Sequence, residues 1–259
     1  MHLRVDQSLP LHGWTVLSLR PRGQHGGLRA AATRSGARLL ALSTQAIELI
    51  DDASARVTLR HALKADVVLF TSPNAVRGAN ALLALSPRRG QRVLAIGSGT
   101  RDALFRLGVA AHAPVRMDSE GLLAMPALAD VAGCRIGMVT GAGGRNLLAP
   151  VLRRRGAEVS RADTYRRVQL VLPTRGQRGL AEALRTPRCV LIALSSAKAL
   201  AGLLAQVPAS ERPALAGIAI VAASPRLTRA AMEAGFQRIA TAASARPAAM
   251  LRAAADAFV

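Results

Sequence analysis

Along the chain, short unbroken apolar runs alternate with longer stretches whose apolar residues recur at helical spacing. The runs are Trp14 to Leu19, Arg38 to Leu42, Val67 to Phe70, Arg92 to Ile96, Ala110 to Val115, Arg135 to Val139, Glu158 to Ala162, Val190 to Leu194, Ile218 to Val221 and Ile239 to Thr241. Runs this short, without strict polar alternation, mark strands covered on both faces. Between them Thr100 to Leu107, Leu147 to Arg155 and Thr228 to Ala234 read as helices followed by Gly108, Gly156 and Gly235. A glycine just past a helix can take the left-handed conformation that closes the last turn. Regular strand–helix alternation predicts parallel sheets with right-handed crossovers, hence an α/β protein.

A weak internal echo divides the predicted strands. Val67 to Val76 (VVLFTSPNAV) resembles Val190 to Ala199 (VLIALSSAKA), each a buried strand leading through a serine-containing turn into a helix. Ala95 to Gly108 (AIGSGTRDALFRLG) likewise resembles Val221 to Gly235 (VAASPRLTRAAMEAG). Two similar α/β domains follow: a discontinuous one from 1–40 plus 168–259, and an inserted one, 41–167, that includes both connecting segments. Those connections are expected around Leu39 to Glu48 and Asp163 to Leu170.

Composition narrows the class. The chain has 259 residues, 51% of them apolar and only 19% charged, which excludes disorder of the low-hydropathy, high-charge kind. Mean hydropathy is +0.25, yet no uncharged window reaches the roughly 20 residues of a spanning helix, so a soluble chain and no membrane partner are expected. Lys plus Arg number 35 against 15 Asp plus Glu, a net charge of +20. Because Lys64 and Lys198 are the only lysines, the charge is carried by arginine, whose planar fork matches carboxylate or phosphate. The excess points to an anionic partner, whether nucleic acid, membrane surface or small polyanion, or else to a general bias toward Arg and Ala. Nucleic acid is the weakest of these: aromatic residues make up 2% of the chain, and stacking platforms and recognition motifs are missing.

Pro10, His12 and Gly13 interrupt what would be the apolar core of a secretory signal. Cys134 and Cys189 stand apart, without a CxxC pair, and read as reduced thiols of a cytoplasmic protein. His2, His12, His25, His61 and His112 are scattered without carboxylates at ligand spacing, so neither a metal site nor a Cys/His nucleophile pair is expected.

In open parallel sheets, ligands bind beyond the carboxyl ends of the strands. The turns expected there are rich in glycine and hydroxyls: Arg20 to Gly23, Thr71-Ser72-Pro73-Asn74, Gly97-Ser98-Gly99-Thr100, Thr140 to Arg145 with Gly144, Ser195-Ser196, and Ser224-Pro225-Arg226 followed by Thr228. Glycine allows close backbone approach, hydroxyls supply hydrogen bonds and helix N-termini attract negative charge. The same hydroxyls also serve as ordinary helix caps. Gly141 to Gly144 lacks the Lys-Ser/Thr ending of a phosphate loop, and Gly97-Ser98-Gly99 lacks the third glycine of a dinucleotide fingerprint. Tyr165, the one tyrosine, stands beside Arg166 and Arg167, either as a proton donor or as a ring packed at a domain junction.

Phe70 to Val76 (FTSPNAV), Ile96-Gly97 with Thr100 and Leu104, Glu120-Gly121-Leu122-Leu123, Gly141 with Gly144-Arg145 and Leu148, and Gly156-Ala157 leading to Tyr165-Arg166 occur in one order. In this order they resemble the uroporphyrinogen-III synthase family over most of residues 14–167. The resemblance implies two flavodoxin-like parallel-sheet domains joined by a two-stranded connection, with the active site in the cleft between them. It implies closure of hydroxymethylbilane, a linear tetrapyrrole, to uroporphyrinogen III, with inversion of the last pyrrole ring and loss of water: a cyclising hydro-lyase of porphyrin and heme biosynthesis. No cofactor and no metal are implied; the expected partners are the polyanionic substrate and, for its handover, the enzyme that produces it, with the chain itself a monomer. The resemblance implies Tyr165 as the proton donor. Arg20, Thr71, Ser72, Asn74, Gly97, Thr100, Gly144, Arg145, Ser195, Ser196, Ser224 and Thr228 are the expected substrate-binding residues, with Arg22 and Arg166 as further cations near the ligand.

Three positions depart from the family pattern. Leu19 stands where a threonine commonly precedes the arginine, Ser195-Ser196 where Thr-Ser is usual, and Ala222-Ala223 where a glycine often follows the strand. The competing reading is a two-lobed module that binds a small polyanion without chemistry.

Overall fold

The computed structural model describes residues 9–144 and 147–259. Its strands are β1 (Thr15–Ser18), β2 (Arg38–Ala41), β3 (Gln45–Leu49), β4 (Val67–Phe70), β5 (Arg92–Ala95), β6 (Arg135–Gly141), β7 (Glu158–Gln169), β8 (Val190–Leu194), β9 (Ala219–Ala222) and β10 (Arg238–Thr241). The α-helices are α1 (Gly26–Arg34), α2 (Ala53–Leu63), α3 (Pro73–Leu82), α4 (Ser98–Phe105), α5 (Ser119–Leu123), α6 (Leu148–Arg154), α7 (Thr174–Leu184), α8 (Ala197–Leu204), α9 (Arg212–Ala216), α10 (Pro225–Glu233) and α11 (Pro247–Phe258). None among the described residues is long and apolar enough to cross a membrane.

The chain divides into two compact units, the described part of Met1–Ala46 with Val168–Val259, and Ile47–Arg167. Both chain passages between them run inside strands, β3 and β7.

In the first unit the strand order is β10-β9-β8-β1-β2, with every neighbouring pair parallel. Renumbered within the unit, this is the 2-1-3-4-5 order of flavodoxin-like sheets, whose switch point lies between β1 and β8. The unbroken apolar runs follow from this burial. Leu17, Ile192 and Ile220 pack on one face of the sheet, while their neighbours Val16, Leu191 and Val221 pack on the other, so both parities of each strand must be apolar.

The second unit repeats the order. Its sheet runs β3-β7-β6-β4-β5, and the pairs β4·β5, β4·β6 and β6·β7 are parallel. Four strands reproduce the same arrangement with a switch point between β4 and β6; the fifth place goes to β3, which enters before the others in sequence. Its flanking backbone bonds, Leu170 N–H to Thr44 O and Ile50 N–H to Thr164 O, progress in opposite directions along the two strands, so β3 runs antiparallel to β7. Val68 and Phe70 face one core layer and Val67 and Leu69 the other.

Two local expectations are corrected. Ala110 to Val115 forms no strand: it meets β5 in one isolated bridge, Leu94 with His112, because alanines have little strand preference and Pro114 removes a backbone donor. Conversely Gln45–Leu49, absent from the apolar runs and expected as part of a connecting segment, is a strand. Its polar residues suit an edge position covered on one side. Gly108, Gly156 and Gly235 all have positive φ, at +74°, +83° and +90°, and close α4, α6 and α10 as expected.

Candidate functional site

In the second unit the loops after β4 and β6 meet at the switch point. Ser72 caps α3, its Oγ accepting from the Ala75 N–H at 3.0 Å, while Thr71 Oγ1 donates to Thr140 Oγ1 at 2.7 Å. Tyr165 joins them from β7. Its ring is buried at 2% exposure, its hydroxyl lies 3.1 Å from Ser72 Oγ, and Arg167 donates to that hydroxyl at 3.1 Å. The Arg167 guanidinium also sits over the ring, 5.3 Å from its centroid.

A β-bulge aims this tyrosine. Thr140 pairs with Asp163, but the next residue, Gly141, pairs with Tyr165, leaving Thr164 as the extra residue. Ala162 and Tyr165 are three apart, so in a regular strand they would face opposite sides of the sheet; with the bulge both belong to the same core layer. Thr164 is fully buried, and its Oγ1 lies 3.3 Å from both Ala75 O and Thr140 O. Helix α3 comes this close because residue 78 is glycine: a Cβ there would be 2.9 Å from Thr164 O and Oγ1. Gly141 leaves room for the ring, since a Cβ would press on Tyr165 Cζ.

The other expected residues of this unit separate from that cluster. Asn74 accepts from Arg77 within α3. Gly97 caps α4, where a Cβ would lie 3.0 Å from Met117 Cβ. Thr100 is buried, so its side chain packs inside the unit instead of standing at the rim. At Gly144 a Cβ would be 3.3 Å from Gly141 O. Arg145 lies outside the described residues. Arg166 is committed to an exposed ion pair with Glu48, at 3.1 Å.

In the first unit, Arg20 follows β1 at the switch point beside β8. Its guanidinium donates to Ala245 O at 3.3 Å, its Nε is buried with no acceptor, and no carboxylate pairs with it among the described residues. Burial makes the charged form costly and pulls its pKa below the usual range. Arg22 is exposed, its backbone N–H donating to Gln45 O. Ser196 caps α8 through the Ala199 N–H at 3.3 Å, and Ser195 is exposed beside it. After β9, the Ser224 carbonyl accepts from Thr228, whose Oγ1 lies 2.6 Å from Thr241 Oγ1.

His25, which the sequence presents as one of five scattered histidines, is bonded on both ring nitrogens. Nδ1 is 2.8 Å from Ser18 Oγ and Nε2 is 2.8 Å from Ser43 Oγ. Burial first, then Arg29 and Arg20, hold its pKa below the ordinary value. A depressed histidine pKa stabilises the folded state above about pH 6.5, and that contribution is lost as pH falls through the lowered folded value. The wild type should therefore lose Tm more steeply between pH 7 and 5 than His25→Gln does, in thermal-shift scans across that range.

Among the described residues no group of His, Cys, Asp and Glu has the makings of a metal site. A surface cavity lined by Leu63, Val68, Phe70, Leu83, Leu85 and Val93 flanks β4 and β5; none of the candidate residues lines it.

Two flavodoxin-order sheets, each presenting hydroxyls at its switch point and near them an arginine with no carboxylate partner among the described residues, define an α/β protein suited to an anionic ligand. The family model of uroporphyrinogen-III synthase HemD matches residues 27–252. The uroporphyrinogen-III synthase of Salmonella typhimurium is 35% identical over 196 residues, 73% of this chain and 78% of that protein. The one from Escherichia coli is 31% identical over 198 residues, with the same shares. A crystal structure of a mutant uroporphyrinogen III synthase from Thermus thermophilus shares the fold, with a TM-score of 0.62 at 24% identity over 94% of this chain and 98% of that one. The chain belongs to the uroporphyrinogen-III synthase family and is an enzyme of tetrapyrrole biosynthesis.

Proposed function

We propose that the chain closes hydroxymethylbilane to uroporphyrinogen III with inversion of the last pyrrole ring, as a cyclising hydro-lyase in which Tyr165 is the catalytic acid. The reading is carried by the hydrogen-bond chain from Arg167 through Tyr165 to Ser72. Arg167 can only donate, so the phenol oxygen accepts from it; in this reading the phenol gives its own proton to Ser72 Oγ, 3.1 Å away. Ser72 Oγ already accepts the Ala75 N–H. With the Tyr165 proton added, its acceptor capacity is full, and its own O–H is left to point at a ligand.

Chemistry follows from that direction. The C–O bond of the terminal hydroxymethyl group breaks as Ser72 donates a proton to the departing oxygen and takes one from Tyr165; water leaves, and the terminal ring of the substrate becomes a cationic azafulvene electrophile that keeps its N–H. Arg167 holds the resulting phenolate by its N–H and by its charge over the ring. The last pyrrole then attacks through its substituted carbon, the spiro intermediate reopens, and closure at the free position releases a ring proton that restores Tyr165. One water is lost overall. The protein's remaining task is positioning, since one of two competing ring closures must be brought within reach. Eight substrate carboxylates suit arginines that, among the described residues, have no carboxylate partner at the switch points.

Consumption of freshly prepared hydroxymethylbilane, followed against a protein-free control, tests catalysis: the protein should accelerate it in proportion to its concentration. Saturable binding with consumption at the spontaneous rate would leave only the binding module.

A further inference from the structure

Arg20 sits in a turn held from several sides, and the hydrogen bonds that hold it run in one determined direction. Ser43 Oγ lies 3.0 Å from the Arg20 carbonyl oxygen, which can only accept, so the hydroxyl proton of Ser43 is spent there. Ser43 Oγ therefore accepts from His25, and His25 Nε2 carries the ring proton. Nδ1 is then the bare nitrogen and accepts from the fully buried Ser18 hydroxyl. Each donor in the series meets one acceptor: Ser18 to His25, His25 to Ser43, Ser43 to the Arg20 carbonyl. The lowered His25 pKa agrees with a neutral ring that keeps this polarity.

The same segment holds the other end of the turn, where the Arg22 N–H donates to Gln45 O at 2.9 Å. Only the guanidinium is left incompletely satisfied: one contact to Ala245 O, a buried Nε without an acceptor, and no carboxylate partner among the described residues. A buried donor without a partner is costly, and a turn pinned on its backbone while its cation stays unneutralised is preorganised for an incoming anion. Leu19 makes the dependence sharper, because this position offers no hydroxyl beside the arginine.

We propose that His25 is a positioning residue which, through Ser43, fixes the Arg20 turn so that the Arg20 guanidinium receives a carboxylate of the substrate. The inference rests on the tetrapyrrole reading for the identity of that carboxylate. It assigns His25 no proton transfer to substrate.

The test is a cycle on KM and kcat with hydroxymethylbilane. Ser43→Ala should raise KM about three- to tenfold, the range of one lost hydrogen bond, with kcat within about twofold of wild type. On an Arg20→Ala background the same change should do nothing further. His25→Ala should copy Ser43→Ala, whereas His25→Gln, whose amide supplies one acceptor and one donor, should recover most of the affinity. Nitrogen-15 NMR of the imidazole should report the Nε2–H tautomer, a readout independent of activity and usable if a variant fails to fold. An unchanged KM in Ser43→Ala, a full Ser43→Ala penalty without Arg20, or the Nδ1–H tautomer would each overturn the proposal. A wild-type protein that makes no uroporphyrinogen III would instead strike down the functional reading.

Discussion

Replacing Gly141 with alanine is expected to destabilise the protein by about 1–3 kcal/mol, the usual range for forcing extra volume into a packed site, and to remove most of its turnover. The added Cβ would press on the Tyr165 ring, and the ring has no slack: it is buried and bonded at its hydroxyl to Ser72 and Arg167. Thermal denaturation and steady-state rates measure the two losses. Because the penalty comes from one contact, it should largely vanish in a Tyr165→Ala background, where the ring is gone. A Gly141→Ala penalty that persists there would locate the glycine's role in the backbone of the bulge.

Tyr165→Phe keeps the ring and its packing and deletes only the hydroxyl. Ser72 retains the Ala75 N–H and Arg167 retains the ring face, so stability should fall by only about 1 kcal/mol, one hydrogen bond's worth. Turnover should fall roughly a hundredfold, the lower end of general acid catalysis, and Ser72→Ala should lower it similarly because both belong to one relay. The double variant should be little worse than either single one. Wild-type turnover in Tyr165→Phe would reduce the tyrosine to packing.

Much of the fold was legible because of burial on both faces. Val67 to Phe70 and Val190 to Leu194 had to be apolar at every position, and their shortness, β-branched residues and flanking turn residues mark them as strands. Gln45–Leu49 is legible only as part of a connecting segment, for the opposite reason: an edge strand carrying Gln45 and Glu48 shows no such run. Ala110 to Val115 looked like a strand because apolarity alone does not distinguish alanine from valine.

The candidate site was legible in part. Ser72 and Tyr165 carry family motifs, and the structure brings their hydroxyls together. The bulge at Thr164 has no local signature, since it exists only in the register between β6 and β7. Likewise Ser18, His25 and Ser43 converge because β1 and β2 pair in parallel with Ser18 opposite Ala41. That places Ser43 just beyond the same sheet end, and spacing in the sequence does not announce it.

The central claim concerns which ring closure the protein favours, and the isomer composition of the product decides it most directly. Hydroxymethylbilane incubated with the enzyme, then oxidised and separated chromatographically, should yield predominantly the type III isomer, with the share rising with enzyme concentration over the spontaneous type I background. Type I alone, at every enzyme concentration, would contradict the account.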